Sequence, residues 1–325
     1  MAGLFDSWQR QINYLRISVT DRCNLNCAYC SVGVVYLPRE EILSYEEIHR
    51  VVRIAVGMGI SKVRLTGGEP LARPDLSELV HMLCRIEGID DIALTTNGTL
   101  LGKYAVDLKK AGLQRVNVSL DTLKASRFQS ITGHDKFGEV LAGIEAARCA
   151  GLEPVKINVV VMRGVNDDET LDFARLAVNE GWHVRFIEFM PFNGSGNNGL
   201  TMVPTSEILE RLRILGKLEP FTGKTGNGPA RYYRLPGAGG TIGFITPMTE
   251  HFCHSCNRLR LTCDGQLRPC LLDDDEVDLK AALRRGAGDG ELRQLIQQAV
   301  AIKREHHHLS ETVATVKRPM CQIGG

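Results

Sequence analysis

Residues 15 to 30 read Leu15-Arg16-Ile17-Ser18-Val19-Thr20-Asp21-Arg22-Cys23-Asn24-Leu25-Asn26-Cys27-Ala28-Tyr29-Cys30. The alternation of apolar and polar residues at the start predicts a short strand, which runs out into three cysteines. Three residues separate Cys23 from Cys27 and two separate Cys27 from Cys30, so one loop can wrap three thiolates around a single inorganic centre. A cubane iron–sulfur cluster normally takes four cysteines, and a set of three leaves one iron open to a substrate or cofactor. The spacing also suits a zinc loop with its fourth ligand elsewhere, or three unrelated core cysteines.

Downstream, the strand recurs as part of a repeating unit. Strands are expected over 14–20, 62–66, 92–96, 115–120, 155–162 and 184–190. Helical patterns lie between them over 44–58, 75–86, 138–150 and 169–179, with one more helix closing at Gly112. Ser44 with Glu47 forms a capping box, and Ile48, Val51, Val52 and Ala55 make the apolar stripe behind it. Strand–helix repetition argues for an α/β fold with a parallel sheet and right-handed crossovers. Six units in about 190 residues fit a partial (β/α)6 barrel of the TIM type better than an open sheet.

Parallel strands covered on both faces read as near-continuous apolar runs, but these alternate. Arg16 and Ser18 oppose Leu15, Ile17 and Val19, and Arg64 and Thr66 oppose Val63 and Leu65. Thr95 opposes Leu94, Asn117 and Ser119 oppose Val116 and Val118, and Lys156 and Asn158 oppose Val155, Ile157 and Val159. Crossover helices must cover the apolar face, so the polar face lines the barrel's interior. Buried cations without matching carboxylates are costly. They make sense in a wet lumen that holds an anionic ligand. For any one of them, a strand-end side chain snorkelling to solvent is the alternative. Such barrels keep their chemistry at the C-terminal ends of the strands. The cysteine loop, Gly67-Gly68-Glu69 and Asn97-Gly98 all fall there, and glycines in that position allow close backbone approach to a ligand.

Residues 191–204 are rich in glycine and asparagine and read as a linker. The linker divides the chain into a barrel of residues 1–192 and a C-terminal α+β extension of residues 193–325. In the extension a helix is expected over 205–215, and strands over 231–235 and 241–246. Cys253 and Cys256 have the two-residue gap of metal ligands, and Cys270 returns after an Asp264-Gly265 turn. This suits a second three-cysteine cluster, or a zinc site completed by His251 or His254. Arg258 and Arg260 alternate on the following strand, so both guanidiniums point one way, which suits a polyphosphate or marks an exposed basic strand edge. Cys84, Cys149 and Cys321 read as free core thiols, and His306-His307-His308 as a solvated run in a charged helical tail. The terminal Gly324-Gly325 is slim enough to thread into a pocket, or else frays.

Composition narrows the classes. The 325 residues are 43% hydrophobic and 24% charged, as in an ordinary globular protein. A net charge of +1 and 6% aromatics give little support to nucleic-acid binding. No run approaches the roughly 18 apolar residues that span a bilayer, and the first residues lack the basic and apolar regions of a secretion signal. Ten cysteines without such a signal point to a reducing compartment. A cytoplasmic location is expected, with neither nucleic acid nor membrane as partner.

The cysteine loop, Gly67-Gly68-Glu69 and the six strand–helix units resemble the radical S-adenosylmethionine (SAM) superfamily. With Thr95–Gly98, Asn117–Thr122, Val155–Gly164, Arg185–Pro191, Cys253–Thr262 and the terminal Gly-Gly, nearly the full length is similar to the GTP 3′,8-cyclase family within it. Where that family usually carries Met-Pro after the third cysteine, this chain has Ser31-Val32-Gly33-Val34. The resemblance implies a radical SAM lyase converting GTP to (8S)-3′,8-cyclo-7,8-dihydroguanosine 5′-triphosphate, the first step of molybdenum cofactor (molybdopterin) biosynthesis. It implies two [4Fe–4S] clusters. Cys23, Cys27 and Cys30 would hold one whose open iron binds SAM, and Cys253, Cys256 and Cys270 one whose open iron meets guanine. Tyr29, Gly68, Ser119 and Met190 match positions that contact SAM, with Glu69 in the same glycine-rich motif. Arg16, Arg64, Thr95, Lys156, Arg258, Leu259 and Arg260 match the GTP-binding set. Gly324 and Gly325 would reach into the barrel and, with Arg258 and Arg260, assist the reaction. The implied partners are GTP, an electron donor of the flavodoxin or ferredoxin type, and a downstream cyclic pyranopterin monophosphate synthase, with room for a homodimer. Two readings compete: another radical SAM enzyme with an auxiliary cluster, for instance a peptide-modifying one, and a zinc-containing binding protein.

Overall fold

The computed structural model describes residues 3–30, 34–190, 199–223, 228–307, 316 and 318–324. Six parallel strands pair in sequence order: β1 (Tyr14–Ser18), β2 (Lys62–Thr66), β3 (Asp91–Thr96), β4 (Arg115–Ser119), β5 (Lys156–Val161) and β6 (His183–Glu188). Helices α1 (Tyr45–Val56), α2 (Leu76–Cys84), α3 (Leu101–Lys110), α4 (Ala125–Thr132), α5 (Phe137–Cys149) and α6 (Thr170–Asn179) make the crossovers. The reason is local in α1. Ser44 Oγ accepts from the Glu47 N–H at 3.1 Å and Glu47 Oε2 accepts from the Ser44 N–H at 2.7 Å, which satisfies two N–H groups that a helix start leaves open. Ile48, Val51, Val52 and Ala55 are all buried behind that cap. They pack with the outward face of the strands, where Leu15, Ile17, Val63, Leu65, Val116 and Val118 lie in one continuous core.

The sheet does not stop at β6. The later strands are β7 (Glu219–Pro220), β8 (Arg231–Arg234), β9 (Thr241–Ile245), β10 (Arg258–Leu261), β11 (Gln266–Arg268) and β12 (Val277–Asp278). β9 pairs in parallel with β6, and β10 in parallel with β1. β11 and β12 continue beyond β10, and β8 and β7 beyond β9, as antiparallel edges. The partial barrel thus gains a parallel strand on each side from residues beyond 193. The other late helices are α7 (Thr205–Leu212), α8 (Lys280–Arg284), α9 (Asp289–Ala301) and α10 (Met320–Ile323).

Three local expectations change. Helix α4 has no side-chain cap and was not expected, yet it buries Phe128 and Ile131. Cys84 and Cys149 are exposed thiols on their helices, while Cys321 is buried. The helix before the histidine run ends at Ala301, so His306 and His307 are not helical; His308 lies outside the described residues.

Candidate active site

The loop after β1 is held from both sides. The Asn26 and Ala28 amides donate to the Thr132 and Ile131 carbonyls of α4, each at 2.9 Å. On the other flank, the Gly68 and Glu69 amides donate to the Thr20 and Arg22 carbonyls, each at 2.8 Å. A Cβ on Gly68 would stand 2.3 Å from the Arg22 carbonyl oxygen. The glycine expected to admit a ligand therefore also admits the cysteine loop itself. Glu69 is fully buried and accepts from the Leu71 N–H (3.0 Å), Thr96 Oγ1 (2.7 Å) and the Asn97 N–H (2.7 Å). Burial lifts its pKa to about 7 against the pull of those bonds. Its carboxylate braces the ends of β2 and β3.

The three thiols share one small space. Burial, then Cys30, Asp121 and Cys23, push the Cys27 thiol well above its ordinary pKa. A cationic iron centre would relieve that repulsion and take the thiolates as ligands, so the donor set fits an iron–sulfur cluster. Between the second and third cysteine, Tyr29 donates its hydroxyl to Asp121 Oδ2 at 2.6 Å, and the Val160 N–H donates to Oδ1 at 2.8 Å.

A cavity of about 280 Å³ fills the lumen. Sheet register sets Arg260, Arg16 and Arg64 side by side on β10, β1 and β2. From β6, Arg185 reaches in, its Nη2 donating to Asn117 Oδ1 at 2.5 Å. Arg115 pairs with Asp91. Among the described residues, however, no carboxylate lies within ion-pair distance of Arg64, Lys156, Arg185, Arg258 or Arg260. Arg64 Nε, Arg185 Nε, Thr66 Oγ1, Thr95 Oγ1 and Asn158 Oδ1 are buried with no hydrogen-bond partner among the described residues. Burial and then Arg260 lower Arg16 well below its usual value. Burial and then Arg258 bring Arg260 to about 9. Burial, followed by Arg185, Arg115 and Arg64, brings Lys156 to about 6. Buried cations that destabilise one another make a site for a polyanion.

The second cysteine set borders the same cavity from the opposite end. Tyr14 pairs with Arg258 in the parallel β1–β10 ladder, so Cys256 precedes the start of β1's level while Cys23 follows its end. About 13 Å of strand lies between those levels. Buried cations hold the segments: Arg10 Nη1 donates to the Cys253 carbonyl at 2.7 Å, and Lys303 Nζ to the Arg258 carbonyl at 3.1 Å and to that of Pro269. Burial opposes ionisation of Cys256, but Arg258 and Lys303 outweigh it and bring the thiol to about 6. Arg258 Nη2 lies 3.6 Å from Cys256 Sγ. A thiolate-ready cysteine of this kind is a metal ligand's chemistry. His251 Nδ1 sits 2.8 Å from the Pro247 carbonyl and 3.0 Å from His307 Nε2, so that nitrogen is engaged rather than turned to the thiols.

The tail returns to the barrel. Arg318 pairs with Asp264 (3.0 Å) and Glu276 (2.7 Å), and α10 packs on β1. Gly324 adopts φ +70°, and a Cβ there would meet Thr66 Oγ1 at 2.7 Å. Arg260 Nη1 donates to the Gly324 carbonyl.

Of the residues singled out from sequence, all six cysteines, Tyr29, Gly68, Ser119, Met190, Arg16, Arg64, Thr95, Arg258 and Arg260 line this cavity. Lys156, 1% exposed, shares the inward face of β5 with Asn158 but does not line the cavity; its Nζ is 5.8 Å from the Tyr232 ring. The Leu259 side chain does not join its neighbours, because alternation turns it into the apolar core. Gly325 lies outside the described residues. Arg185 and Asp121 line the cavity but were not singled out. Strand six alternates like the others, with Arg185 set against Val184 and Phe186, and that signal would have found the arginine.

Residues 17–177 match the Radical SAM superfamily and residues 182–309 match Molybdenum Cofactor Synthesis C. The GTP 3′,8-cyclase of Moorella thermoacetica is 53% identical over 322 residues, covering 98% of this chain and 99% of the relative. That of Pelotomaculum thermopropionicum is 54% identical over 324 residues, with coverage of 98% and 99%. Among solved structures, Streptococcus suis SuiB bound to S-adenosylmethionine shares the fold, with TM-score 0.64 and 14% identity over 87% of this chain and 68% of that one. The chain belongs to the GTP 3′,8-cyclase family of radical SAM enzymes.

Proposed function

We infer that this chain is a GTP 3′,8-cyclase, converting GTP to (8S)-3′,8-cyclo-7,8-dihydroguanosine 5′-triphosphate in the first step of molybdenum cofactor biosynthesis. One observation carries the reading: a single cavity has a cysteine triad at each end and arginines between them. A [4Fe–4S] cluster on Cys23, Cys27 and Cys30 together with SAM would supply a 5′-deoxyadenosyl radical. Tyr29, Gly68, Ser119 and Met190 would seat SAM beside that triad, while Glu69 braces the glycine motif from behind. Cys253, Cys256 and Cys270 would hold a second [4Fe–4S] cluster facing the guanine. Arg16, Arg64, Thr95, Arg185, Arg258 and Arg260 would grip the nucleotide, with Lys156 adding charge from the same inward face and Leu259 only its backbone. Fixing the phosphates and the base together holds ribose C3′ toward the first triad and C8 within its reach. A closed lumen would keep water and stray hydrogen donors out; Gly324 would close the wall beside Arg260, and Gly325 would assist the reaction.

A division of labour at residue 193 goes with this: residues 1–192 bind SAM, and residues 193–325 bring the second triad and the tail. An external one-electron donor of the flavodoxin or ferredoxin type, a cyclic pyranopterin monophosphate synthase downstream and a homodimeric assembly complete the proposal, with a cytoplasmic location. No helix among the described residues is long and apolar enough to cross a membrane. A peptide substrate would leave the lumen arginines uncompensated. The test is anaerobic reconstitution with iron and sulfide, then incubation with a reductant, SAM and each nucleoside triphosphate. 5′-Deoxyadenosine together with loss of GTP alone is expected. 5′-Deoxyadenosine without nucleotide loss would reject the substrate, and failure to bind iron would reject the chemistry.

A further inference from the structure

We propose that Asn97 is a positioning residue for the first cluster: its side-chain amide holds an N–H on the Cys23 sulfur and makes the cluster easier to reduce. The proposal rests on Cys23 being a cluster ligand. Asn97 borders the cavity at the end of β3. The Thr99 N–H donates to Asn97 Oδ1 at 3.0 Å. A backbone N–H can only donate, so that atom is the oxygen and the opposite one is the NH2 group. The Thr99 hydroxyl also donates to Oδ1, at 2.8 Å. One amide hydrogen of Asn97 goes to Asn24 Oδ1 at 2.8 Å. Asn24 is fixed in turn, because its Nδ2 donates to Thr99 Oγ1 at 2.8 Å.

The ring Asn24–Asn97–Thr99 therefore commits the Asn97 oxygen and one of its two amide hydrogens. The remaining Asn97 hydrogen faces Cys23 Sγ, with nitrogen and sulfur 3.8 Å apart. The Asn97 backbone cannot swing away, since its N–H is bound to the buried Glu69 carboxylate at 2.7 Å. The glycine-motif glutamate thus reaches the cluster through Asn97. Hydrogen bonds to the sulfurs of an iron–sulfur cluster are one of the protein's means of setting its potential, and a donor stabilises the extra negative charge of the reduced form. Electron uptake is the step that this cluster must perform before any substrate is touched.

The experiment compares wild type with Asn97→Leu and the isosteric Asn97→Asp, each reconstituted anaerobically as the full chain. Redox titration follows by electron paramagnetic resonance the reduced-cluster signal that changes when SAM is added, with iron and sulfide per chain measured alongside. In Asn97→Leu the ratio of reduced to oxidised cluster at a fixed potential should fall about tenfold, equivalent to about 59 mV for a one-electron couple. Asn97→Asp should fall at least as far, because a carboxylate replaces the donor. Wild-type ratios in both variants at full iron content would overturn the proposal. Loss of iron from both would overturn it too, by making Asn97 a scaffold only. Cys23→Ala separates the two layers: a SAM-responsive signal surviving there would reject the ligand reading whatever Asn97 does.

Discussion

Replacing Lys156 with methionine removes a charge that the free protein barely carries. Burial and the neighbouring arginines hold Lys156 at about 6, so at pH 7.5 only about 3% of the side chain is protonated, and charging it costs about 2 kcal/mol. A triphosphate entering the lumen reverses the balance, because an anion beside an ammonium favours the charged form. Binding should then draw in about one proton at pH 7.5, and the lysine should add about one tenfold gain in GTP affinity per pH unit as pH falls from 8 to 6. Below the free-state value the lysine is charged before GTP arrives and its share of the gain stops. The methionine variant keeps the arginines and should lose this slope. Isothermal titration with GTP in two buffers of different ionisation enthalpy, without SAM or reductant, reads proton uptake directly. The terminal phosphate itself titrates near pH 6, so the difference between the two proteins is the quantity to use. Equal proton uptake in wild type and Lys156→Met would refute the reasoning, since Lys156 would then hold one charge state whether or not GTP is bound.

Arg258→Ala with Arg260→Ala should weaken GTP binding by roughly a hundredfold, taking about 1.5 kcal/mol for each charged hydrogen bond, while SAM binding at the first triad persists. Unchanged GTP affinity in equilibrium titration would count against those two arginines. Gly324→Ala forces a side chain into left-handed backbone at about 1 kcal/mol and toward Thr66 Oγ1. Cyclised product should fall while the thermal midpoint drops by no more than about 2 °C, and wild-type product formation would show that the tail's seat is irrelevant. Ser44→Ala removes the reciprocal cap of α1 and should cost about 1 kcal/mol in urea unfolding; a midpoint equal to wild type would mean the cap adds nothing to stability.

The inward face of the barrel was legible because backbone geometry imposes a period of two on strands. Arg16, Arg64, Thr95 and Ser119 could be placed in the lumen from alternation alone. Depth was not legible in the same way. Lys156 begins β5 on the same face as Asn158 yet does not line the cavity, and nothing in the local pattern gives depth along the strand. The orientation of Leu259 was readable too: a residue flanked by two inward arginines on a strand turns its side chain outward into the core. The Gly67–Gly68 pair shows a different limit, since a sequence can reveal that two backbones must approach but not which two. Helix α4 escaped because its stripe is weak and uncapped. Its value lies in a distant contact, two carbonyls that fix the cysteine loop.

The two edge strands explain why the second triad belongs to the barrel rather than beside it. A six-stranded parallel sheet ends in two open edges, β1 and β6, each a row of unpaired backbone groups. β10 closes the first and β9 the second. Closing the β1 edge in parallel sets a strand order in which residues before β10 fall at the N-terminal end of the lumen, opposite the first cysteine loop. The register then makes Arg260 the neighbour of Arg16, whose other neighbour is Arg64. One pairing thus covers an edge, extends the cation row and sets the second triad across the cavity from the first. The sheet whose ends carry both triads is built from strands on either side of residue 193.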